Sequence, residues 1–348
     1  SGRTALIPEL VNGTAYEFGV VATTADQAAS PLGTTTATPT AGVGASVFVP
    51  IEPARVYDSR LAGPGGTPLP IPGNHGSRVM QVADAIDIAT GHVVQRNIVP
   101  AGATAVAFNL TATNTQARGW FSITPGNAAT FNNSTVNWPG GSDVIAAGLT
   151  VQIAPDRTVK VFNGSTMPTD AVLDTSGYFI DPAQAGNVFH DITPTRVYDS
   201  RIAGPGGTAN PIAGKSNRVI SVANGIDPVT PDVVPAGATA IAYNISAVDT
   251  AGRGWFAVTS GDASAYRAST VNWAGPGDVI DNGQFGVIDA ARQIKVFSGA
   301  NTPTNVVIEV LGYYTPSTDA IDGSYLHGID PVRAYDSRVP QPQPGPVD

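Results

Sequence analysis

Residues 55–60 read RVYDSR and run into LAGPGGT; residues 196–201 read RVYDSR again and run into IAGPGGT. The match continues downstream. VPAGATAVAFN from Val99 answers VPAGATAIAYN from Val234, and RGWF at Arg118 answers RGWF at Arg253. STVNW at Ser134 answers STVNW at Ser269, KVF at Lys160 answers KVF at Lys295, and SGYF at Ser176 answers LGYY at Leu311. The offset is 141 residues at the first motif, 140 at Arg78 and Arg218, and 135 from Val99 onward. Self-similarity of this kind means that one folding unit is used twice. The change of offset puts a length difference between Ala85 and Ile98, which marks a tolerant surface loop. A third copy opens with PVRAYDSR at Pro331, and the sequence ends at Asp348.

Each unit reads as strands. VAFNLTAT alternates apolar and polar residues with the period of two expected of a half-buried strand. RVMQVA, GWFSIT, LTVQIA, TVKVF and AVLDTSGYF do the same, and Gly, Pro, Asn and Asp clusters separate them. That gives roughly eight or nine short strands per unit, with no capped 3.6-residue period anywhere. The expected fold is all-β: two tandem β-sandwich or jelly-roll-like modules, residues 46–181 and 187–316, with a barrel as the alternative.

Residues 1–42 differ. NGTAYEFGVVATTADQAASPLGTTTATPT holds a Tyr-x-Phe-x-Val-x-Ala strand, a turn and a Thr-rich strand. It resembles the C-terminal part of a fibronectin type III domain. Such a piece cannot close a sandwich alone, so either its other strands lie upstream in a longer chain or it pairs elsewhere. The start at Ser1, without Met, reads as part of a longer or processed protein. At the other end, residues 325–348 carry the partial third copy and a Pro-rich tail. The third motif opens a truncated body or is a strand that docks on a β module; the solvated VPQPQPGPVD ending favours docking, since unpaired strands seek partners.

Composition excludes several classes. The absence of cysteine removes disulfides and thiolate metal sites. A net charge of −9 argues against nucleic acid as a partner. No apolar run of about 18 residues exists to insert into a membrane. The histidines His75, His92, His190 and His327 fall at non-equivalent positions without metal-ligand spacing. No nucleophile elbow, zincin or phosphate-cradling loop appears. The string DAIDIATGH from Asp84 is loosely calcium-like, but its counterpart NGIDPVTPD from Asn224 keeps only scattered acids. The expectation is therefore no catalytic residue, no metal and no cofactor: the protein is not an enzyme.

The repeated motif itself holds the most prominent polar residues: Arg55, Asp58 and Arg60, then Arg196, Asp199 and Arg201, then Arg333, Asp336 and Arg338. Strict strand alternation puts Arg55, Tyr57 and Ser59 on one face and Val56, Asp58 and Arg60 on the other. A catalytic carboxylate would repeat with a histidine or glutamate partner, and none does. These residues are read as a structural cluster of charge-assisted hydrogen bonds, with Asp58 and Asp199 buried. Of the 18 Lys and Arg residues, 14 recur between copies. Recurrence of charge points to partners fixed by the fold, with a shared ligand as the competing explanation. All four tryptophans recur as Trp120 with Trp255 and Trp138 with Trp273. Trp138 and Trp273 are expected in the core; Trp120 and Trp255, each beside a Phe that must face the other way, are the candidate ligand-binding residues.

The succession P-x-RVYDSR, VPAGATAVAFNLTAT, GWF, STVNW, KVF and GYF resembles tandem modules that open with "RLLDTR" and close with "DVAGYF". Those modules occur in secreted and surface proteins of high-GC Gram-positive bacteria and in minor tail proteins of their phages. The resemblance covers about residues 46–180 and 187–315. It implies a non-enzymatic extracellular structural or adhesion protein, a phage virion component or a bacterial cell-surface one. Its partners would be other virion or surface subunits, including further copies of itself. The second function class is a glycan-binding module that accompanies a secreted enzyme, favoured if an aromatic from each module lies exposed in a shared groove.

Overall fold

The structure, a computed structural model, describes residues 16–21, 30, 32–37, 45–62, 68–131, 133–226, 229–317 and 323–328. The third motif, with Arg333, Asp336 and Arg338, lies outside the described residues, as do residues 1–15. Among the described residues there is no helix. A two-stranded antiparallel hairpin comes first, β1 (Tyr16–Val20) with β2 (Gly33–Ala37).

The first module begins with β3 (Ala45–Asp58), β4 (Gly76–Gln81), β5 (Ala85–Ile86) and β6 (Val93–Gln95). It continues with β7 (Ala105–Thr113), β8 (Gly119–Pro125) and β9 (Val136–Trp138), and closes with β10 (Ile145–Gln152), β11 (Thr158–Asn163) and β12 (Asp170–Ile180). The second module repeats the series: β13 (Asn187–Asp199), β14 (Asn217–Ser221), β15 (Gly225–Ile226), β16 (Val229–Thr230) and β17 (Ala240–Val248). Then come β18 (Gly254–Ser260), β19 (Val271–Trp273), β20 (Ile280–Val287), β21 (Gln293–Ser298) and β22 (Asn305–Pro316). A short β23 (Leu326–His327) follows.

Each module packs two four-stranded antiparallel layers. In the first they run β10-β7-β12-β3 and β4-β11-β8-β9; in the second, β20-β17-β22-β13 and β14-β21-β18-β19. Among the described residues no sheet closes on itself, so these are sandwiches and the barrel alternative is set aside. The 85–98 region, where the copies differ in length, forms the small β5–β6 hairpin, answered by β15–β16. Core residues alternate inward along the strands, including Phe108, Leu110, Phe121 and Trp138 in one module and Tyr243, Ile245, Phe256 and Trp273 in the other.

The modules are also joined to each other. A single register pair, Asn187 opposite Phe48, links β13 to β3 and makes the large layers one continuous sheet. Around it Phe48 packs on Phe179 of its own module and on Phe285 and Tyr314 of the other, with ring centroids 5.0, 5.6 and 4.7 Å away. The sheet's two end strands then meet: Gly148 of β10 donates its N–H to Asn282 Oδ1 of β20 at 2.7 Å. A Cβ on Gly148 would fall 1.7 Å from the Gly283 carbonyl oxygen, so only glycine lets the two backbones approach this closely.

This junction corrects one sequence expectation. β7 alternates as a half-buried strand should, yet every one of its residues is buried. Val106, Phe108, Leu110 and Ala112 enter the module core, while Ala105 and Ala107 join the central aromatic cluster. The second face, which alternation assigns to water, is covered by the other module. β23 lies against the same junction, with Leu326 opposite Ser46 and His327 opposite Ala45.

Candidate functional site

The RVYDSR strings end β3 and β13, and in both a β-bulge reshapes them. Tyr57 pairs with Leu173 and Arg55 with the next residue, Asp174, so Val56 is the extra residue; Val197 is its counterpart, between Tyr198 paired with Ile308 and Arg196 paired with Glu309. The bulge shifts the phase by one. Arg55 therefore shares a face with Asp58, contrary to strict alternation. Its Nη1 donates to Asp58 Oδ2 at 2.9 Å, and Arg60 donates to the same carboxylate from Nε, Nη2 and its backbone N–H. Asp199 receives the same three bonds from Arg201, and a longer one from Arg196 at 3.5 Å. Both aspartates are 3 % exposed. Burial pushes the Asp58 carboxyl up, but the hydrogen bonds from Arg60 and the charges of Arg55 and Arg60 outweigh it and hold the group below the usual range. Asp199 is also held low, chiefly by the Arg201 hydrogen bonds.

The recurrent cations divide into two kinds. Arg78 and Arg218 reach the hydroxyl of Tyr57 or Tyr198 and nearby carbonyls. Arg157 and Arg292 hold the Val99 and Val234 carbonyls, and Lys160 and Lys295 those of Ala128 and Ala263. With the two motif pairs, these have partners fixed by the fold. Arg118 and Arg253 do not: both are exposed, and neither makes a hydrogen bond or ion pair among the described residues.

Those two arginines immediately precede the Gly of Gly-Trp-Phe. Phe121 and Phe256 are core residues, as are Trp138 and Trp273 at 3 % and 0 % exposure, each indole donating to a carbonyl at 2.7 Å. Trp120 and Trp255 lie half-buried on the outer face. Each indole rests on a glycine: a Cβ would fall 1.9 Å from the Trp120 ring at Gly164 and 1.8 Å from the Trp255 ring at Gly299. A second ring stands beside each, Phe131 at 4.9 Å from Trp120 and Tyr266 at 4.8 Å from Trp255. Phe162 and Phe297 extend the rows, 5.0 and 5.2 Å further on.

The two aromatic rows open differently. Trp120 borders a pocket built from its own module alone, with Arg118, Asn137 and Pro139. Trp255 borders a cleft of about 500 Å³ between the modules. Its walls bring Arg55, Arg60 and Thr111 from the first module to Arg253, Trp255, Tyr266 and Arg267 from the second. The candidates Trp120 and Trp255 thus do not share a groove, while the motif residues Arg55 and Arg60 come to lie with Trp255. Sequence reasoning missed Tyr266, Arg267 and Thr111. The available signal was the aromatic at equivalent places, Phe131 and Tyr266, next to Asn132 in one copy and Arg267 in the other.

Elsewhere the polar residues are occupied locally. Asp87, in the calcium-like string, accepts the N–H groups of Ala89 and Thr90 and the Thr90 hydroxyl; Asp84 accepts from Asn97 and Arg96. Among the described residues no group of three His, Asp or Glu side chains is placed to hold a metal ion. None of the helices required to cross a membrane as a long apolar span is present among them either.

No family model and no curated protein matches the chain. Among solved structures, the crystal structure of the 11S allergen from Cocos nucifera L. is similar at 12% identity over 70% of this chain and 81% of that one, with a TM-score of 0.16. At that score the likeness carries no argument.

Proposed function

We propose that the protein is a non-enzymatic extracellular structural or adhesion protein: a minor tail or fibre component of a phage virion, or a bacterial cell-surface component, built from modules of the RLLDTR-to-DVAGYF kind. The observation that carries this reading is the coupling of the modules. A spacer that displays something at a distance must resist bending between its units. Here Phe48 packs against rings of both modules, and a buried amide network closes the far side of the junction. In that network Asn109 donates to the Ser269 and Thr270 carbonyls, and its own carbonyl accepts from Asn282 and Gln284. Domains in one chain move relative to each other unless their interface is large and well packed; this one is packed with aromatic rings and satisfied amides. β23 adds to the start of β3 within the chain, and in this reading further subunits of the same kind attach by strand addition of the same type. Immunogold electron microscopy with antibodies raised against residues 46–316 tests the placement. Gold on the outer surface of intact cells or released particles is expected; label confined to the interior of lysed cells contradicts it.

A second reading, carbohydrate binding, is favoured by one observation. The only recurrent cations without a partner among the described residues, Arg118 and Arg253, stand beside the recurrent half-exposed tryptophans. An indole face stacks on a pyranose ring, and a guanidinium adds hydrogen bonds.

A further inference from the structure

We infer that the inter-module cleft is a binding site for an acidic saccharide, a pyranose unit bearing a carboxylate or a phosphate; this rests on the carbohydrate reading and names its ligand class. Four arginines line the cleft, and no Asp or Glu does so among the described residues. In a chain with 27 acidic and 18 basic residues, that is a local reversal of sign. Arg55 and Arg60 are offset by Asp58 and Asp174 behind them. Arg253 and Arg267 are not offset: both are exposed, and neither makes an ion pair or hydrogen bond among the described residues. A concave surface of one sign concentrates ligands of the other, and planar guanidinium groups match the two oxygens of a carboxylate or phosphate.

The remaining walls suit the rest of such a ligand. Trp255 and Tyr266 meet edge to face, at an interplanar angle of 61°, and both line the cleft, where they offer apolar surface to a sugar's C–H groups. Thr111, a buried residue of β7, adds a wall from the first module. The volume of about 500 Å³ lies within the range of small-ligand sites and holds one or two sugar units. The site exists only because the modules dock, since Arg55, Arg60 and Thr111 belong to one and the tryptophan and free arginines to the other.

Isothermal titration of the whole chain with tetragalacturonate, glucose 6-phosphate and maltotetraose tests the proposal, with Arg267→Asn and Arg253→Gln variants beside the wild type. Both positions are exposed and unbonded, so near-ultraviolet circular dichroism should be unchanged in the variants. The expected result is binding of the uronate or the phosphate, no binding of neutral maltotetraose, and about tenfold weaker binding in each variant. Preference for the uronate or for the phosphate identifies the acid, and either supports the site. Equal binding of maltotetraose, or acid binding indifferent to both substitutions, overturns the acidic-saccharide site and leaves the carbohydrate reading standing. If none of the three binds, both fall.

Discussion

Arg55 grips Asp174 with two prongs, Nε to Oδ1 at 2.9 Å and Nη2 to Oδ2 at 3.4 Å, and the pair is buried where the second module covers the first. The same register position in the second module holds Arg196 and Glu309, 2.9 Å apart but on an open face. The side chain of Arg55 is 10 % exposed against 39 % for Arg196, and that of Asp174 2 % against 36 % for Glu309. One sequence motif thus gives a dry ion pair in one copy and a wet one in the other.

Removing the arginine separates the two cases. Arg55→Met leaves Asp174 buried without its cation and should cost about 3–5 kcal/mol. Arg196→Met releases Glu309 to water and should cost about 0–1 kcal/mol. Urea unfolding of the two variants measures the difference; equal losses would mean that the first cluster is not dry.

The acid limb of stability follows from the aspartates. Asp199 and Asp58 are held below the ordinary 3.8, so at low pH the unfolded chain binds more protons than the native one. Their contribution is whole above that value and is lost as pH falls through their lowered native values. Burial raises Asp174 in spite of Arg55 beside it. Its contribution has the opposite sign, favouring the native state at low pH and fading as pH rises through its native value. Asp199→Asn should therefore flatten the decline in stability as pH falls below 3.8. An unchanged slope in urea titrations below that pH would contradict the assignment.

Much of this was legible in the sequence, and the exceptions have physical causes. The duplicated β modules follow from repeats and period-two patterning, and the inward Trp138 and Trp273 from their apolar neighbours. The bulge at Val56 and Val197 was not legible, because a bulge inserts a residue without breaking the apolar pattern. Nor was the second buried face of β7, where Ala105, Ala107 and Asn109 are small or polar enough to read as solvent-facing. The partners that cover them, such as Asn282 and Gln284, stand where the first module has Ala147 and Leu149. A site made by docking two copies leaves no contiguous motif, so Trp255, Arg55 and Arg60 were each visible but their meeting in one cleft was not.

The glycine beneath each indole is open to a direct check. Gly299→Ala would drive a methyl group into the Trp255 ring and turn it outward, with its emission shifted to the red. Gly164→Ala should do the same to Trp120. If neither emission spectrum changes, the rings do not rest on these glycines.

Phe48 is fully buried, and its loss opens a cavity in the cluster shared by both modules. Phe48→Ala should cost about 3–5 kcal/mol. Calorimetry is expected to show one unfolding transition for the two modules in the wild type and two in the variant. A single transition in both would mean that the modules are coupled elsewhere.

Rigid coupling of the two modules is the claim on which the spacer reading and the cleft both depend. The chain has no cysteine, so Val79→Cys with Val219→Cys places spin labels at exactly matched, exposed points of β4 and β14 with no background. Double electron–electron resonance on the labelled protein should give one narrow distance distribution, broadened when Phe48→Ala is added. A broad or multiple distribution in the labelled protein with Phe48 intact would contradict the account.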